Sequence, residues 1–287
     1  MTLSHEHPTT GDLDLFFTFD YVPLDQPEVA TPDRRPTTWW DVERGDRGPE
    51  PRPDWVVVDA GAVDTELGIL KTGKEADVFL LERAAELTGE ACLLAAKRYR
   101  DADHTSFRRS ALYTEGRGVR RSRDQRALAK GTTYGRQVAS GMWARAEWTA
   151  LCAAWAAGVA VPYPVCVQGT ELLLEFVGTP DGLAAPRLAQ TRPADDLLDH
   201  AWHQVREIVL GLAGLGWAHG DLSPYNLLLH DEVVVAIDLP QVVDLVANPS
   251  GPELLHRDCS VVAAWFGARG LEADGEALFA EALAEAL

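Results

Sequence analysis

His219-Gly220-Asp221-Leu222-Ser223-Pro224-Tyr225-Asn226, followed by Ile237-Asp238-Leu239-Pro240-Gln241, is the stretch that decides how this chain is read. Asp221, Asn226 and Asp238 fall at intervals suited to phosphoryl transfer from a metal-bound nucleotide. One Asp can orient and deprotonate an acceptor hydroxyl. The Asn and the second Asp offer oxygens to Mg²⁺, a hard cation that takes carboxylate and amide ligands and keeps some waters. The apolar runs Leu227–Leu229 and Val233–Ile237 read as two short strands around a His230-Asp231-Glu232 turn. A lone Asp in a loop is most often a cap or turn residue. Here, however, polar residues interrupt apolar runs at set intervals, and a buried strand does not need an Asp at its exit for stability. The catalytic or metal-binding reading therefore outweighs the bland one.

Upstream, Leu67 to Leu81 reads as strand, tight turn, strand, with Thr72-Gly73-Lys74 in the turn. Leu93 to Lys97 reads as a third strand ending in a Lys. Backbone N–H groups of such a turn can approach phosphates, and a strand-borne Lys can neutralise them. Each signal alone is weak. Ala139 to Ala157 carries Met142, Trp143, Ala146, Ala150, Leu151, Ala154 and Trp155 at helical spacing, ending at Gly158. Glu147 lies beside that apolar face and invites a buried cation, for which Lys97 is the natural candidate; a solvated surface position is the alternative. Val165 to Val177 reads as a hairpin leading into a Gly- and Pro-rich connection, residues 178–193, the best lobe boundary in the chain. At such a hinge, backbone groups of Glu175 and Val177 would face an adenine, with Leu174 as a wall. Ala194 to Ala218 is a long amphipathic helix, with Asp195 and Asp196 favouring its N-terminus. Ala273 to Leu287 is a short Ala/Glu/Leu helix.

Composition bounds the class. The chain has 287 residues, 46% of them hydrophobic, with nine Trp, which supports a substantial core. No apolar stretch is long enough for a membrane span, and no N-terminal signal pattern occurs, so cytoplasmic residence without a membrane partner is the default expectation. Four scattered cysteines suit reduced thiols better than a disulfide frame or zinc site. The net charge of −18 disfavours nonspecific nucleic-acid binding, yet Lys97 to Arg145 holds thirteen Lys or Arg against four Asp or Glu. That basic segment is either a solvated loop or a contact for an anionic partner such as RNA. Residues 1–54 read as an acidic, Pro-rich, partly disordered tail with docked patches at Leu15-Phe16-Phe17 and Trp39-Trp40, and the ordered part is expected from Trp55.

Together these blocks resemble the RIO-type atypical serine/threonine protein kinases, and the first RIO subfamily in particular. The resemblance is carried by Lys71 to Val78 (Lys-Thr-Gly-Lys-Glu-Ala-Asp-Val, with Lys71 where the family often has Ser), Lys97, and Trp143 to Glu147. It continues through His219 to Asn226, Ile237 to Gln241, and Arg257-Asp258-Cys259, spanning about residues 67–266. The Gly-Lys-Glu-Ala and Ile-Asp-x-Pro-Gln signatures are more specific than the Asp and Asn alone. The Ala/Arg/Asp-rich composition looks bacterial.

The resemblance implies an α+β, bilobal protein-kinase-like fold. A small β-sheet N-lobe with one main helix would occupy residues 55–178, including a basic flexible loop at 98–141. A reduced, mainly helical C-lobe would occupy 179–287. It further implies ATP and Mg²⁺ between the lobes, with Mn²⁺ as a substitute ion. Asp221 would be catalytic, Asn226 and Asp238 would hold metal, and Lys97 would contact phosphates and pair with Glu147. Thr72 and Lys74 would lie on the phosphate loop. Ser106, Ser110 and Thr114 are candidate self-phosphorylation sites, the acceptor being the chain itself or another protein. Two other readings stay open. One is a nucleotide-switched factor docking on an RNA–protein complex through the basic loop. The other is a small-molecule phosphotransferase of the aminoglycoside or choline kinase type.

Overall fold

A computed structural model of the chain describes residues 33–100 and 133–286. The first part of the tail and the centre of the basic segment, with Ser106, Ser110 and Thr114, lie outside the described residues.

Six antiparallel strands form the N-terminal lobe: β1 (Arg34–Pro36), β2 (Val63–Thr72), β3 (Ala76–Ala85), β4 (Glu90–Tyr99), β5 (Pro164–Gln168) and β6 (Glu171–Glu175), in the order β1-β2-β3-β4-β6-β5. Helix α1 (Thr133–Ala156) packs on β4, β5 and β6, burying Ala144, Trp148, Leu151 and Ala154. The charged pair at the heart of β2 and β3 is unusual. Asp64 and Arg83 face each other across the ladder and form a fully buried bidentate ion pair, with Nε–Oδ1 at 2.6 Å and Nη2–Oδ2 at 2.9 Å. Two parallel charge-assisted hydrogen bonds offset much of the cost of burying these charges, while Arg83 Nη1 is buried without a hydrogen-bond partner among the described residues.

The ordered body starts before Trp55. Strand β1 pairs with β2, and Trp39 and Val42 are buried against Tyr163, Val165 and Cys166. A three-residue strand and an isolated Trp pair carry no periodicity that a sequence reading can detect.

The second lobe is mainly helical: α2 (Asp195–Gly214), α3 (Gly251–Gly267) and α4 (Gly275–Glu285). One face of α2 buries Leu198, Trp202, Val205, Ile208, Val209 and Leu212. Trp202 meets Phe266 of α3 with ring centroids 5.2 Å apart. Each fully buried residue of this size contributes roughly 1.5–3 kcal/mol. Helix α2 ends before the expected Ala218, because Gly216 takes φ +76 and turns the chain. Trp217–Ala218 then forms β7, which pairs with β10 (Val243–Asp244). The hairpin β8 (Leu227–His230) and β9 (Val233–Ala236) sits where the sequence places it, with Asp231 and Glu232 both at positive φ in the turn.

Candidate active site

The β7–β8 connection is built to hold polar groups still. His219 is buried, and its Nε2–H donates to the Ile237 carbonyl at 3.1 Å, tying the start of the connection to the exit of β9. Asp258 of α3 lies beneath and accepts the backbone N–H groups of Gly220 (2.7 Å) and Leu222 (3.0 Å), the residues flanking Asp221. Burial pushes the Asp258 carboxyl up to about 6, against the opposing pull of His219, those two N–H groups and Arg257. Arg257 donates to the Gly220 carbonyl at 2.5 Å and to Asp221 Oδ1 at 3.3 Å. The Asp221 side chain is otherwise directed to solvent, 61% exposed. Asn226 donates its amide N–H to the Asp221 carbonyl at 2.9 Å, which fixes the amide orientation.

Asp238 follows β9 with φ +67, a left-handed conformation uncommon for Asp. Its carboxylate meets two ammonium groups from the sheet lobe: Lys97 Nζ at 2.5 Å and Lys71 Nζ at 3.4 Å. Burial opposes its charge, but Lys97 and then Lys71 outweigh that and hold the carboxyl well below the usual range. Lys97, at the end of β4, also contacts Glu147 Oε1 of α1 at 2.6 Å. The second oxygen of Glu147 accepts the Tyr99 hydroxyl at 2.5 Å, so the buried carboxylate is bonded at both ends. Burial would lower the Lys97 pKa; the Asp238 and Glu147 carboxylates reverse this and raise it.

Lys97, Glu147, Asp238, Asn226 and Asp221 thus lie along one cleft. Thr72 and Lys74 sit exposed on the turn above it, where Gly73 donates to Ala76 O at 3.0 Å and a Cβ on Gly73 would meet that oxygen at 2.8 Å. Near the end of β6, Leu174 is buried. The Glu175 N–H donates to Tyr163 O (2.9 Å), and the Val177 carbonyl accepts from Ala185 N (2.9 Å). These two backbone groups are therefore engaged, the first by the segment before β5 and the second by the linker. The sequence reading gave no role to Tyr99 or to Asp258. The Arg257-Asp258-Cys259 signature was the available signal for the second; nothing local distinguished the first.

As a metal site, Asp238 and Asn226 offer two hard oxygen donors, and no group of three His, Cys, Asp or Glu able to hold a metal occurs among the described residues. That set suits Mg²⁺, which is bound by one or two side chains together with substrate phosphates.

A small twisted sheet joined by a linker to a helical lobe, with a Lys–Glu pair above and an Asp/Asn/Asp set below, defines a bilobal protein-kinase-like protein. Comparison with known sequences then gives its family. The RIO domain family model matches residues 84–278. The "RIO-type serine/threonine-protein kinase Rio1" of Haloferax volcanii is 39% identical over 223 residues, covering 78% of this chain and 70% of the relative. The protein of the same name from Thermoplasma acidophilum is 33% identical over 133 residues, covering 46% and 68%. The solved Rio2 kinase–ADP/Mg²⁺–phosphoaspartate complex from Chaetomium thermophilum superposes with a TM-score of 0.55 at 20% identity, over 77% of this chain and 62% of that one. This chain belongs to the RIO kinase family.

Proposed function

We propose that the chain is an ATP- and Mg²⁺-dependent serine/threonine phosphotransferase with Asp221 as the proton acceptor. The observation that carries this reading is the meeting of Lys97 and Asp238 across the cleft, with Asp221 and Asn226 on the same floor. Lys97, held by Glu147, would bind the α/β phosphates. Asn226 and Asp238 would hold the metal, which when bound neutralises charge on the phosphoryl oxygens. Asp221 would take the acceptor hydroxyl's proton as oxygen bonds to the γ-phosphorus and the bond to ADP breaks. Arg257 restrains the Asp221 carboxylate, and Asp258 anchors the backbone on either side of it. With the Glu175 N–H and Val177 carbonyl engaged, the Glu175 carbonyl and Val177 N–H are the groups we assign to a purine, beside Leu174.

A second reading has a specific motive. The similar Rio2 complex carries phosphoaspartate with ADP and Mg²⁺. An aspartate of this site could likewise accept the phosphoryl group and lose it to water, making ATP hydrolysis the observable chemistry and fitting a nucleotide-switched factor.

Incubating the purified chain with γ-labelled ATP and Mg²⁺ separates the two. Acid-stable label on Ser or Thr of the chain or an added protein supports the kinase. Free phosphate alone supports hydrolysis. Label found only on a small-molecule acceptor would overturn both.

A further inference from the structure

Lys71 departs from the resemblance, which often has Ser there and places Thr72 and Lys74 on the phosphate loop. The backbone explains where its side chain goes. Ile69 pairs with Phe79 and Lys71 with Val78, so β2 spends two residues where β3 spends one. This bulge resets the alternation of sides along the strand. Without it Lys71 would share the face of Ile69, which is 55% exposed. Instead its ammonium turns into the cleft and reaches Asp238 at 3.4 Å, with the side chain 30% exposed. Lys74 stays on the exposed turn.

Asp238 already has Lys97 at 2.5 Å, and Arg187 of the linker also acts electrostatically on both Asp238 and Lys71. The Arg187 guanidinium is fixed on this side of the cleft by donation to the Tyr225 carbonyl. Two ammonium groups from separate strands therefore meet on Asp238 with Arg187 acting on it electrostatically, while Glu147 is shared by Lys97 and Tyr99 and Glu75 adds a carboxylate to the same neighbourhood. Cationic side chains placed between the phosphate-loop turn and Asp238 suit a polyphosphate, whose metal complex still carries negative charge.

We propose that Lys71 is a nucleotide-binding residue that grips the terminal phosphates of ATP, moving from Asp238 to the phosphate when nucleotide binds, with Arg187 as its companion. This rests on the nucleotide reading above and adds to it a phosphate contact particular to this chain.

The test is equilibrium binding of adenosine, ADP and ATP to the full chain by calorimetry, in EDTA and in Mg²⁺, for wild type, Lys71→Ser and Lys71→Arg. A hydrogen bond to a charged group of this kind corresponds to about tenfold or more in affinity. Lys71→Ser is expected to weaken ATP binding by that factor in EDTA, ADP less, and adenosine not at all, while Lys71→Arg retains most of the ATP affinity. Unchanged or tighter ATP binding by Lys71→Ser would overturn the proposal, as would an equal loss for adenosine. Wild type binding adenosine but discriminating against both phosphorylated forms would overturn it too. A wild type that binds none of the three would instead sink the nucleotide reading itself.

Discussion

Lys97 of the sheet lobe and Asp238 of the helical lobe form a direct ion pair at 2.5 Å across the cleft. With Lys71 it ties Asp238 to the sheet lobe, and Glu147 stabilises it from behind at 2.6 Å from the Lys97 ammonium. Lys97→Met would leave the buried Glu147 carboxylate without its cation. Breaking a buried pair by removing one partner costs about 3–5 kcal/mol. The variant should therefore melt at lower temperature and lose nucleotide affinity together, and Glu147→Gln should restore part of the stability in the double variant but none of the affinity. Calorimetric melting with nucleotide titration checks both.

The Asp64–Arg83 pair supports the same lobe without touching the cleft. Asp64→Ala should destabilise the chain by a similar ~3–5 kcal/mol, measured by denaturant unfolding. Replacing both residues with apolar ones of like volume, Asp64→Leu with Arg83→Met, should recover most of the loss. A double variant as unstable as the single one would show that the charges themselves are needed.

Asp258 gives the protein a pH signature. Its carboxyl is pushed up to about 6 in the folded chain from an unfolded value of 3.8, so the folded state holds the extra proton between those limits. Stability from this group is fully present below the unfolded value and is lost as pH rises through about 6; with a shift of roughly two units the loss is roughly 3 kcal/mol. The lowered Asp238 and raised Lys97 act only outside that window, the first lost in acid and the second in strong base. The difference in unfolding free energy between wild type and Asp258→Asn should accordingly shrink as pH rises from about 4 to about 7. A flat difference would remove the raised carboxyl from the account. Since Asp258 holds the backbone on both sides of Asp221, the variant should also lower turnover more than nucleotide affinity.

The β8–β9 turn offers a control remote from chemistry. Glu232 sits at φ +66, a conformation that is costly for a residue with a Cβ. Glu232→Gly should raise stability by about 1 kcal/mol and leave ATP turnover unchanged, as read by parallel unfolding and activity assays.

The legible parts of this site are those where a residue type breaks a pattern. Asp238 stands at the end of a Val/Ala run, and Lys97 ends an apolar strand. Glu147 interrupts a helical face, and the structure places it on Lys97. Helix α2 is readable from its sustained apolar period, and the β2–β3 pair from the Thr72-Gly73-Lys74 turn between two apolar segments. What escaped depended on partners far along the chain. Tyr99 looks like any strand aromatic until Glu147, 48 residues later, receives its hydroxyl. Asp258 matters because α3 carries it under a loop 36 and 38 residues earlier. Lys71 turns inward through a bulge, which alternation of side chains along a strand cannot announce. Strand β1 is too short to show a period, so its place on the sheet edge could not be read either.

The most direct test of the central claim is single-turnover conversion of bound ATP in Mg²⁺ by wild type and Asp221→Asn at matched saturation. Among the described residues the exposed Asp221 carboxylate meets only Arg257, and its carbonyl, which holds Asn226, is kept in the Asn variant, so the variant should fold and bind ATP as wild type does. Loss of a positioned proton acceptor should slow turnover by about 10²–10⁴-fold. Turnover at the wild-type rate in Asp221→Asn would contradict the assignment of this cleft's chemistry.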